Sequence, residues 1–119
     1  MKKKQVNFYI TKELKDLIYF LLEKEDLPKV NFFRRAIKMF LEGDRKVDPR
    51  ILNTKRSDPT YIRRDIREPF DMDFEQYQAL EELAKEKNCK MAHIVFQALV
   101  NYCSALATGY EEIVVVEKE

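Results

Sequence analysis

The chain is poor in the residues that build most chemical sites. Its 119 residues include two glycines, two cysteines, one histidine and no tryptophan. Two glycines cannot make a phosphate-cradling glycine loop. Cys89 and Cys103 lack metal-ligand spacing, and His93 alone cannot complete a Cys/His zinc cluster. The two cysteines read as free thiols in a reducing compartment. Apolar runs are short; "IVVV" near the end is four residues, against the roughly 18 needed for a spanning helix. The opening "MKKKQVNFYI" is basic but has no apolar h-region, so no signal peptide is expected. No nucleophile–base pair is visible. These absences lead to the expectation of a cytoplasmic protein that is not an enzyme, needs no cofactor or metal, and makes no membrane contact.

What is present is charge, unevenly placed. Charged residues make up 36% of the chain, and the net charge is only +1. Residues 1–67 carry 18 Lys+Arg against 10 Asp+Glu; residues 68–119 carry 4 against 11. A chain divided in this way suggests one half that meets an anionic partner and one that does not.

The segment "QVNFYI", residues 5–10, alternates strictly. Val6, Phe8 and Ile10 point one way; Gln5, Asn7 and Tyr9 point the other. Three lysines, Lys2, Lys3 and Lys4, precede it. An amide offers a donor and an acceptor side by side, which suits reading a partner's hydrogen-bond pattern. Thr11 then fits a helix N-cap, and Leu14, Leu17, Ile18, Leu21 and Leu22 follow at helical spacing. Pro28 suits the first turn of a second helix. That helix carries the stripe Phe32, Phe33, Ala36, Ile37, Phe40 and Leu41, and Gly43 closes it. Residues 44–65 have no clear period and contain two Asp-Pro pairs, which mark a basic connector.

A shift of 62 residues lays the first segment over a second one without a gap. Ile10 meets Met72, Thr11 meets Asp73, and Ile18, Leu21 and Leu22 fall on Leu80, Leu83 and Ala84. Phe32, Phe33, Ala36, Ile37, Phe40 and Leu41 fall on Ile94, Val95, Ala98, Leu99, Tyr102 and Cys103. Asp26 overlies Asn88 at a place that suits a left-handed helix stop. The pattern reads as an internal duplication. Four segments are expected: a first strand–helix–helix unit at 1–43, a basic linker at 44–65, a second, acidic unit at 66–108, and a tail at 109–119 with a further strand at 112–117.

The segments "QVNFYIT", "ELKDLIYFLLEKE" and "FFRRAIKMFL" resemble the ribbon-helix-helix fold of the Arc and MetJ repressor superfamily. The resemblance covers residues 4–43 well and 66–106 more weakly. It implies a mostly α protein with a short two-stranded antiparallel ribbon, two units in one chain forming an intrachain pseudo-dimer. It implies a partner too: double-stranded DNA, with the ribbon in the major groove. Carried over, Gln5, Asn7 and Tyr9 read bases, joined by Arg67 from the second strand. The turn Pro28–Asn31 holds phosphate through Lys29 and Asn31, with Lys90 as the second unit's counterpart. Lys2, Lys3 and Lys4 track the phosphate backbone. Elementary chemistry agrees: a two-stranded ribbon fits the major groove, and Asn or Gln pairs bidentately with adenine. The second strand, "REPFDM", departs from the pattern, because Pro69 and Asp71 share the reading face with Arg67.

The implied function is sequence-specific transcription control. Two alternatives use the same sequence features: a relaxosome-type accessory protein in DNA processing, and an antitoxin-like protein-interaction module. A monomeric pseudo-dimer, a homodimer and further association on DNA all remain open at this stage.

Overall fold

The computed structural model describes the backbone of residues 2–59 and 61–118 and side chains through residue 107. In chain order the elements are β1 (Lys3–Ile10), α1 (Lys12–Lys24), α2 (Lys29–Glu42), a short α3 (Pro49–Leu52), β2 (Ile66–Asp73), α4 (Phe74–Lys87) and α5 (Met91–Lys118). The protein is mostly helical, with one two-stranded antiparallel sheet made by β1 and β2.

The register runs from Lys3 opposite Asp73 to Ile10 opposite Ile66, so both strands are longer than the alternation alone suggests. Phe74 donates its backbone N–H to the Lys2 carbonyl at 3.1 Å, carrying the ladder one pair further. Antiparallel pairs alternate between those that exchange hydrogen bonds and those whose amides point outward. The Lys2–Phe74 bond makes the even-numbered positions of β1 the exchanging ones. Asn7 and Pro69 therefore face each other with outward-turned amides, where proline removes no ladder bond.

The ribbon's inner face carries Phe8, Ile10, Phe70 and Met72, all buried. Phe70 packs on Phe33 of α2, with ring centroids 4.4 Å apart, and on Phe8 at 5.8 Å. Below it Ile18, Phe32, Phe33, Ile37, Leu80, Ile94, Val95 and Leu99 are fully enclosed. Each contributes on the order of 1.5–3 kcal/mol through burial. The apolar stripes foreseen on α1, α2, α4 and α5 therefore meet in one core.

Local chemistry sets the helix ends. Thr11 caps α1, its hydroxyl accepting from the Leu14 amide at 3.0 Å. Pro28 stands at the N-cap of α2, one residue before its first turn. After α1, Asp26 adopts φ 51° and Leu27 donates to the Leu22 carbonyl; after α4, Asn88 adopts φ 54° and Cys89 donates to the Ala84 carbonyl. Both are left-handed stops of the same construction. They lie 62 residues apart, as do the starts of α1 and α4, and of α2 and α5. Gly43 ends α2 in an extended conformation; a Cβ there would come within 3.1 Å of the Met39 carbonyl.

The connector 44–65 carries structure of its own: α3 places Ile51 in the core, and the Asp48 amide donates to Gln97 of α5 at 2.7 Å. Arg64 donates to the Ile51 carbonyl at 3.1 Å and lies over the Phe96 ring, so the connector is fastened to α5. The strand expected at 112–117 does not form. The backbone there continues α5, which also runs through the expected boundary between residues 108 and 109. A strand needs a ladder partner for its amides, whereas continuing a helix satisfies them within the segment.

Candidate functional site

The outer face of the ribbon is a row of exposed side chains. Gln5, Asn7 and Tyr9 come from β1, and Arg67, Pro69 and Asp71 from β2. Tyr9 is 52% exposed. Across the ribbon Gln5 stands opposite Asp71, Asn7 opposite Pro69, and Tyr9 opposite Arg67. Arg67 donates from Nε to the Asn7 Oδ1 at 3.2 Å, which holds both side chains at mid-ribbon. The Asn7 amide nitrogen and the terminal guanidinium nitrogens of Arg67 remain as donors facing outward.

The two ends of this face differ in charge. At one end are Tyr9 and Arg67, and the connector beside them brings Arg56, Tyr61, Arg63, Arg64 and Asp65 around a shallow cleft. At the other, Asp71 stands opposite Gln5, and Asp73 opposite Lys3.

The residues expected to hold phosphate fall into two groups. Lys2, Lys4 and Lys90 are exposed. Lys4 lies over the Tyr77 ring at 5.4 Å, and Lys90 stands just before α5, its backbone amide donating to His93 Nδ1. The other three are engaged within the protein. Lys3 pairs with Asp73 at 3.1 Å. The Asn31 side-chain oxygen accepts from Arg34 at 3.3 Å. Lys29 forms an ion pair with Glu68 and donates to the Pro69 carbonyl at 2.8 Å.

Glu68 is a residue that sequence reading missed. It lies on the inner face of β2, is 2% exposed, and accepts from the Tyr19 hydroxyl at 3.1 Å. Burial, and next the Glu68 carboxylate, push the Tyr19 phenol above its usual range. Extending the alternation back from Phe70 and Met72 would have placed Glu68 inward.

Asp73 is the second such residue. It stands at the N-cap of α4 but makes no side-chain cap bond. Arg34 grips its carboxylate with two bonds, 2.8 and 3.2 Å, and Lys3 adds a third. The Arg34 hydrogen bonds, and then Lys3, hold the Asp73 carboxyl below the usual carboxylate range.

Among the described residues no group of three His, Cys, Asp or Glu side chains could hold a metal ion, and no helix is long and apolar enough to cross a membrane. Cys89 and Cys103 are free thiols; burial pushes Cys103 up to about 11. His93 is a capping residue of α5, buried, with its neutral form favoured by burial and by nearby Arg64 and Lys90. No family model, curated protein or solved structure matches the chain.

Proposed function

We propose that the chain is a sequence-specific double-stranded DNA-binding regulator that lays its β-ribbon in the major groove. It contains two ribbon-helix-helix units that complete each other as a pseudo-dimer. The observation that carries this reading is the outward row Gln5, Asn7, Tyr9 and Arg67, with Arg67 and Asn7 joined at 3.2 Å. Asn and Gln suit adenine, Arg suits guanine, and a two-stranded ribbon fits the groove.

The register supports two related units. Asn7 pairs with Pro69, its own counterpart at the 62-residue offset. Gln5 pairs with Asp71, the counterpart of Tyr9, and Tyr9 pairs with Arg67, the counterpart of Gln5. A duplicated strand paired about a pseudo-twofold axis gives this arrangement.

Phosphate contacts in this reading come from Lys2, Lys4 and Lys90 and from the connector arginines. Lys29 acts mainly as the partner of Glu68. The face is chemically unequal at its two ends, so the DNA it prefers is asymmetric. Activation, repression and a DNA-processing role would all use this contact.

A second reading, a protein-interaction module of the antitoxin kind, draws on α1. Leu17 and Phe20 lie on its open side, 39% and 58% exposed, beside Tyr19. Fluorescence anisotropy on duplexes selected from random sequence, repeated across a salt series, separates the two readings. A DNA reader shows one preferred sequence and a steep linear fall of log affinity with log salt. Weak, sequence-blind binding favours the module.

A further inference from the structure

The charges paired across the ribbon are distributed unequally between the two halves, and the 62-residue offset makes the inequality legible. At the position of Glu68 the first half carries Val6; at the position of Lys29 the second half carries Met91. Asp73 corresponds to Thr11, Arg34 to Phe96, Lys3 to Asp65, and Tyr19 to Glu81. Each ion pair across the ribbon therefore joins a cation of the first half to an anion of the second: Lys29 to Glu68, Arg34 to Asp73, and Lys3 to Asp73.

We infer that these pairs form a recognition code that makes the first half accept the second half and reject a copy of itself. The inference rests on the two-unit reading, but not on DNA binding. If two second halves paired in the same register, Glu68 would face Met91 in place of Lys29 and Glu81 in place of Tyr19. A carboxylate 2% exposed would then meet a second carboxylate and no cation. Asp73 would face Phe96 in place of Arg34 and Asp65 in place of Lys3. If two first halves paired, Lys29 would face Val6, and Arg34 and Lys3 would face Thr11. Those cations reach solvent, so this pairing loses its ion pairs without burying a bare charge. Self-pairing is thus opposed in both halves and most strongly in the acidic one. The apolar inner faces could not make this distinction, because Phe8 corresponds to Phe70 and Ile10 to Met72.

The test uses the full chain, cut after folding at a protease site inserted between Lys55 and Arg56, which are exposed in the connector. The nicked protein is unfolded in urea, refolded by dilution, and weighed by native mass spectrometry. Nicked wild type is expected to return only as a first-half–second-half complex. Lys29→Met/Glu68→Val/Asp73→Thr, which gives both halves matching residues at these positions, is expected to return both self-pairs alongside the first-half–second-half complex, which the connector's contacts with α5 still favour. A second variant guards against misfolding of the first: Lys29→Glu/Glu68→Lys exchanges one charge pair. When nicked wild type and nicked exchange variant are refolded together, each first half is expected to recover the second half of its own kind, with crossed complexes depleted at least tenfold. Free crossing, self-pairs from wild type, or a matched variant that pairs as selectively as wild type would each overturn the inference. If the two-unit reading itself were wrong, the matched variant would form no folded self-pair while the exchange variant still sorted by charge, which is distinct from free crossing and also overturns the inference.

Discussion

Lys29 and Glu68 are joined in an ion pair beneath the ribbon, linking the start of α2 to the inner face of β2. Glu68 is almost fully enclosed, while Lys29 keeps part of its side chain in solvent. Removing the cation alone strands a buried carboxylate. Lys29→Met is therefore expected to lower stability by on the order of 2–3 kcal/mol in urea unfolding. Lys29→Met/Glu68→Val, the residues found at the counterpart positions, is expected to recover most of that loss. A double variant as unstable as the single one would mean that the pair is not the source of the cost.

Base reading and phosphate holding separate by variant. Asn7→Ala removes both its own amide and the anchor for Arg67. It is expected to reduce discrimination between the preferred and a mismatched duplex by about 1–3 kcal/mol in anisotropy titrations. Lys2→Ala and Lys4→Ala are expected to weaken all duplexes alike and to reduce the salt slope by about one each.

Acid should destabilise the fold in two separate windows. His93 is buried and its folded-state pKa lies below the usual histidine value of 6.5. The unfolded chain thus takes up a proton before the folded one does. The stability that neutral His93 provides is complete above about pH 6.5 and is lost as pH falls below it. Asp73, whose folded pKa is also depressed, loses its contribution only below about pH 4. Urea midpoints measured from pH 7.5 to 5 should fall for the wild type. They should stay flatter for His93→Gln, which does not titrate in that range.

The unequal ends of the outer face predict an asymmetric binding site. Sequences selected from random DNA should lack dyad symmetry across the contacted bases, and the protein should sit on them in one orientation. Chemical cleavage from an iron chelate attached at one end of the ribbon should then cut one side of the site. Equal cleavage on both sides would contradict this expectation.

Much of the scaffold was legible because it rests on local periodicity. The alternation of Val6, Phe8 and Ile10, the cap at Thr11 and the stripe from Phe32 to Phe40 each follow from spacing alone, and each is found in the structure. The paired stops at Asp26 and Asn88 were visible as well, since few residues tolerate positive φ. The outward placement of Gln5, Asn7, Tyr9 and Arg67 came from the same two-residue period. Long-range charge pairing was not legible. Glu68, Asp73 and Arg34 find their partners 39 residues away, across a connector whose course no period reveals. Lys29 looked like a free cation because its carboxylate lies on another strand. Residues 112–117 continue α5 although "IVVV" suits a strand by composition, because composition cannot supply a neighbouring strand.

The central claim is that Asn7 meets a base edge in the major groove. A selected duplex in which single adenines are replaced by 7-deaza-adenine loses the N7 acceptor while keeping its base pairing. One such replacement is expected to weaken wild-type binding about 5- to 150-fold, and to have little further effect on Asn7→Ala. Undiminished wild-type affinity for every 7-deaza-adenine duplex, with Asn7→Ala binding as selectively as wild type, would contradict the account.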